Sequence, residues 1–122
     1  MSDQTLFDRI GGYPVVSRLV MDFYERVLVK DELSPYFAEV DMRRLIEHQA
    51  KFVSAVMGGP ASYTDQEIRE IHAHLGVDDT AFEALVDLFA DTVAIYVDDP
   101  ADAARVVATV RNRKALVVGS AA

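Results

Sequence analysis

Asp41-Met42-Arg43-Arg44-Leu45-Ile46-Glu47-His48-Gln49-Ala50-Lys51-Phe52-Val53 is the stretch on which the reading of this chain turns. Asp41 is a good helix cap. No glycine or proline follows until Gly58-Gly59-Pro60, so the spacing predicts a helix from Met42 to about Met57. Leu45, His48, Gln49 and Phe52 share one face of that helix. Two of the four are strong hydrogen-bonding groups where core residues are expected. A buried glutamine left unsatisfied costs about 1–3 kcal/mol, so a partner should lie opposite it. The bland reading is a partly exposed helix edge. The sharper one is polar chemistry set into an apolar wall. The spacing alone favours the bland reading for His48 and leaves both open for Gln49.

Outward from this helix, the apolar spacing is helical throughout. Gln4 to Ile10 makes a short turn of helix with Leu6, Phe7 and Ile10 on one side, and Gly11-Gly12 breaks it. Pro14 sits in the first turn of the next helix, where proline is best tolerated. Val15, Leu19, Val20, Phe23, Val27 and Leu28 carry that helix to about Val29. Ser34 to Phe37 is long enough only for a tight turn. Thr64 and Glu67 form a capping box for a short helix that Gly76 closes. Asp79 or Thr80 opens a helix with Phe82, Leu85, Val86, Phe89, Val93 and Tyr96 inward. Asp99-Pro100 opens the last, with Ala103, Val106, Val107, Val110 and Leu116 on its face. Asp102 in its first turn suits the helix dipole. Val117-Val118 would be a lone strand with nothing to pair with. The expected fold is all-α, with four substantial helices and two short ones in a single domain over residues 1–122.

Composition excludes several partners. The chain has 122 residues, 51% of them hydrophobic and 26% charged, and a formal net charge of −8. That acidity argues against nucleic acid, whose phosphates require a cationic footprint, and against an anionic membrane surface. No apolar run approaches the roughly 18 residues of a membrane span, and residues 1–7 do not read as a signal peptide. A soluble, cytoplasmic setting is expected. The chain has no cysteine, which removes disulfides, thiolate metal sites and cysteine nucleophiles.

The remaining polar residues on apolar faces are few. His72 lies on the stripe Ile68, His72, Leu75, and His74 points away from it. Tyr24 follows Phe23 one turn after Val20. Taken singly, a core histidine and a tyrosine tied to backbone explain both. Standard catalytic motifs are missing: there is no phosphate loop, no His-Glu-x-x-His, no Glu-x-x-His of the di-iron bundles and no Gly-x-Ser-x-Gly elbow.

In their order, these pieces resemble one family. They are Gly11-Gly12, Asp22-Phe23-Tyr24-Glu25-Arg26-Val27, Ser34-Pro35-Tyr36-Phe37, His48-Gln49-Ala50-Lys51-Phe52, Gly58-Gly59-Pro60, Tyr63-Thr64 and Ile71-His72 ahead of Leu75-Gly76-Val77. Together, from about Leu6 to Val110, they resemble the truncated haemoglobins, the two-over-two helical globins, and specifically group I. The resemblance implies haem b (iron protoporphyrin IX) between the helix starting near Met42 and the short helix holding His72. It implies His72 as the proximal iron ligand, and Phe37, Leu45, Phe52 and Tyr63 among the cofactor contacts, Tyr63 reaching a propionate. Tyr24 and Gln49 match the distal pair. His48 matches a position where relatives carry a cation for a propionate or a histidine that ligates iron, so it is read either as a propionate partner or as a sixth, distal ligand.

The function so implied is binding of dioxygen, nitric oxide and carbon monoxide at ferrous iron, with oxidation of nitric oxide to nitrate as a candidate reaction needing an external reductase. Hydrogen bonds from Tyr24 and Gln49 to a partly anionic ligand would contribute about 1.5–3 kcal/mol, or roughly 10- to 150-fold slower loss of dioxygen. One alternative is a bis-histidine redox or nitrogen-oxide-handling globin gated by His48. Another is a helical interaction module without a cofactor.

Overall fold

The computed structural model describes residues 5–59 and 77–112, which form helices joined by turns and short irregular segments. Helix α1 spans Leu6–Ile10, α2 Tyr13–Leu28, α3 Met42–Val56, α4 Asp79–Tyr96 and α5 Pro100–Arg111, with a 3-10 turn at Ser34–Phe37 between α2 and α3. The short capped helix expected from Thr64 lies outside the described residues, as do Leu116 and Val117-Val118.

Side chains start these helices much as their sequence suggests. Asp41 accepts from the Arg44 amide at 3.2 Å and caps α3. Thr5 caps α1 and Asp99 caps α5, where Pro100 takes the first position. The cap of α4 is Asp78, which accepts from the Ala81 amide at 2.8 Å, one residue ahead of the expected start. Each such cap satisfies a helix amide that has no partner within the helix.

Gly11 and Gly12 make the corner between α1 and α2 with φ of +115° and +77°. A side chain would be strained there, and a Cβ on Gly11 would come within 2.7 Å of Val15 Cγ2.

Helix α2 is the spine. It packs on both α3 and α4, and α4 packs on α5, so the pair α2–α3 lies against the pair α4–α5. Val16, Leu19, Val20 and Val27 of α2 are almost fully buried, with Phe82, Val86, Phe89 and Val93 of α4 facing into the same core. Phe23 meets Phe89 edge to face, 5.5 Å between ring centres, a favoured aromatic arrangement. Leu85 and Tyr96 are half-buried at the margin of α4. On α5 only Val106 among the expected apolar residues is buried, while Ala103, Val107 and Val110 are half-buried.

Two buried hydroxyls are satisfied within their own helices, Ser54 donating to the Ala50 carbonyl and Thr92 to that of Leu88, both at 2.8 Å. No described helix is long and apolar enough to cross a membrane.

Candidate functional site

The surface between α2, the 3-10 turn and α3 gathers most of the described candidate residues. Tyr24 is buried on α2, Phe37 at the end of the 3-10 turn and Leu45 on α3. The rings of Tyr24 and Phe37 meet edge-on at 5.8 Å, and Phe23 stacks edge-on against Tyr24 at 4.8 Å. The phenol is thus enclosed by aromatic carbon, and its hydroxyl needs a polar partner.

Gln49 is that partner. Its side chain hydrogen-bonds to the Tyr24 hydroxyl. The partner expected opposite Gln49 is therefore a side chain one helix away, and Tyr24 is tied to a carboxamide instead of to backbone. Burial raises the Tyr24 pKa far above its ordinary value of 10.0, and the Gln49 hydrogen bond acts weakly the other way. The phenol therefore keeps its proton, and its capacity to donate, throughout the physiological range.

His48 and Phe52 are half-buried on α3, on either side of Gln49 in sequence. They continue the wall begun by Leu45. His72 and Tyr63 lie outside the described residues, so the geometry shown is that of one side of the expected site. Among the described residues, no group of three or more His, Asp or Glu could hold a metal ion.

The donor set suits the distal side of a haem pocket. A neutral hydroxyl and a carboxamide can both donate hydrogen bonds, and they stand with the buried side chains of Phe23, Phe37 and Leu45. In chemistry such a wall would fit a flat apolar group and a small ligand with partial negative charge on its outer atom.

Two polar arrangements were not legible in the sequence. Asp22, next to Phe23 and Tyr24, accepts from Arg26 at 2.9 Å and from the Tyr96 hydroxyl at 3.2 Å, tying α2 to the end of α4. Asp102 is 3% exposed and accepts from Arg9 of α1 at 2.9 Å as well as from Arg105. The helix-dipole role expected for Asp102 misses this long-range pairing, since 93 residues separate it from Arg9 and no spacing rule links them.

Known proteins place this fold. The model of the bacterial-like globin family matches residues 5–118. The chain is 34% identical over 89 residues to the group 1 truncated haemoglobin of Mycolicibacterium paratuberculosis, covering 73% of this chain and 65% of that one. It therefore spans just under two thirds of that relative. It is 36% identical over 87 residues to the group 1 truncated haemoglobin of a Synechocystis species, covering 68% of this chain and 70% of that one. The 2/2 haemoglobin of a Synechococcus species, solved in the cyanomet state with covalently attached haem, superposes with a TM-score of 0.79 over 94% of this chain and 98% of that one, at 24% identity. The architecture is that of the two-over-two helical globins. The chain belongs to the bacterial-like globin family, among the group 1 truncated haemoglobins, a family that binds haem and diatomic gases.

Proposed function

We propose that this chain binds haem b through His72 and takes up dioxygen, nitric oxide or carbon monoxide beside Tyr24 and Gln49. The observation that carries the reading is the hydrogen bond between those two side chains inside an aromatic wall. Membership of the family supports it.

Haem, held by the neutral imidazole of His72, would supply the iron that binds a diatomic ligand. The chain's own residues decide what happens to that ligand. Phe37, Leu45 and Phe52 would present carbon to the porphyrin and keep water from it. Gln49 holds the Tyr24 hydroxyl in place, leaving the phenolic proton free to turn toward a partly negative atom. Tyr63 is assigned to a propionate. Donation by Tyr24 and Gln49 favours dioxygen over carbon monoxide, which accumulates less negative charge.

Slow release suits chemistry on dioxygen better than carriage. The reaction proposed is oxidation of nitric oxide, in which NO, O2 and one electron give nitrate. The electron comes from an external reductase, which makes that partner a requirement of turnover. His48 supports a second reading on its position: it sits half-buried beside Gln49 on the same wall. As an internal ligand it would gate gas entry and make the protein a redox or nitrogen-oxide-handling globin.

Haem titration with optical detection tests the reading. The chain should take up one equivalent and give a carbon monoxide complex with a sharp Soret band. His72→Ala should weaken retention. A wild-type chain that stays colourless in excess haem would overturn it and favour a cofactor-free helical module.

A further inference from the structure

Helix α1 has five residues, far too few to be stable alone. The rest of the fold holds it at three places. The Gly11-Gly12 corner joins it to α2, where the Gly12 amide donates to the Phe7 carbonyl at 2.9 Å. The Phe7 amide donates to the Met57 carbonyl at the end of α3, at 3.0 Å. Arg9 pairs with buried Asp102 in the first turn of α5.

The second attachment lies on a tight corner. Gly58 has φ of +89°, and Gly59 donates to the Ser54 carbonyl at 2.7 Å. A Cβ on Gly59 would lie 2.9 Å from the Phe7 ring and 2.9 Å from the Ser54 carbonyl oxygen, and one on Gly58 would meet Thr5 at 3.0 Å. Residues 5–9 therefore lie across the point where the chain leaves α3. From there the sequence runs on to Tyr63 and His72.

We propose that Arg9 and Asp102 form a positioning pair for haem retention: the ion pair clamps α1 over the Gly58-Gly59 corner, and releasing it speeds loss of the porphyrin. The inference rests on the haem-binding reading above. Local opening of a weakly stable element costs much less than global unfolding, and α1, with no buried residue of its own, depends on its attachments. Asp102 is also held by Arg105 on its own helix. Removing Arg9 therefore cuts the tether between α1 and α5 without leaving the buried carboxylate unpaired, which would itself be strongly destabilising.

The test measures transfer of ferric haem from the whole protein to an excess of a haem-scavenging apoglobin. Arg9→Met and Asp102→Asn should each lose haem at least tenfold faster than wild type, with Arg9→Lys in between. Exchange of the Phe7 amide, followed by hydrogen–deuterium exchange, should accelerate in the same variants. Arg111→Met is the control. It removes the Arg111–Glu83 ion pair between α5 and α4, 2.5 Å long, with the same charge change. It should leave both rates near wild type. Haem loss from Arg9→Met at the wild-type rate would overturn the clamp while leaving haem binding intact. Equal acceleration in Arg111→Met would also overturn it, because general destabilisation would then suffice. A wild-type protein that takes up no haem would instead remove the reading beneath it, and the clamp with it.

Discussion

The Tyr24 hydroxyl and the Gln49 side chain are hydrogen-bonded to each other across the α2–α3 contact, with the phenol buried. Each satisfies the other in a wall that would otherwise leave a polar group stranded. Gln49→Leu should destabilise the protein by about 1–2 kcal/mol, because it leaves a buried hydroxyl without its partner. The double variant with Tyr24→Phe should cost less than the two single changes summed, with a coupling of about 0.5–1.5 kcal/mol. Urea unfolding of the four proteins in a cycle measures it, and strict additivity would mean that the two side chains do not interact.

The raised pKa of Tyr24 gives a signed pH dependence. The folded phenol binds its proton more tightly than the unfolded one. Its contribution is therefore fully present below about pH 10 and is lost as pH rises beyond it, because the unfolded chain ionises first. From this residue alone stability should fall with a limiting slope of about 1.4 kcal/mol per pH unit. Tyr96 is also raised, by burial first and then by its hydrogen bond to Asp22, so an alkaline loss should persist in Tyr24→Phe with a shallower slope. Unfolding curves at pH 9, 10 and 11 for both proteins check this. Identical slopes would contradict it.

His48 divides the two gas-binding readings. If it ligates iron, the reduced protein without gas should show a six-coordinate low-spin spectrum. His48→Ala should then be five-coordinate and bind carbon monoxide roughly tenfold faster, since no internal ligand has to leave first. A five-coordinate wild-type spectrum, or unchanged association in the variant, would reject His48 as an iron ligand.

The fold was legible because its signals are local. The caps at Asp41 and Asp99, proline in the first turn of α2 and α5, and the paired glycines mark the ends of elements, and apolar spacing of three and four residues fills them. The candidate site was legible only in part: a glutamine on an apolar face demands a partner, but spacing alone reads Tyr24 as tied to backbone, and only the family resemblance set the two side chains together. Asp22 with Tyr96 and Arg9 with Asp102 were not legible. They join residues 74 and 93 positions apart, and nothing in local spacing distinguishes a buried aspartate from one that merely favours a helix start. The weakly apolar face read on α5 shows the converse limit, since alanine and valine at helical spacing do not say how deeply a helix at the edge of the core is covered.

The account stands on Tyr24 acting on a ligand and not only on Gln49. Stopped-flow dissociation of dioxygen from the wild type and Tyr24→Phe tests that most directly. Loss of a hydrogen bond to a partly charged acceptor, about 1.5–3 kcal/mol, should speed release roughly 10- to 150-fold, with a much smaller change for carbon monoxide. An unchanged dioxygen off-rate would contradict the account.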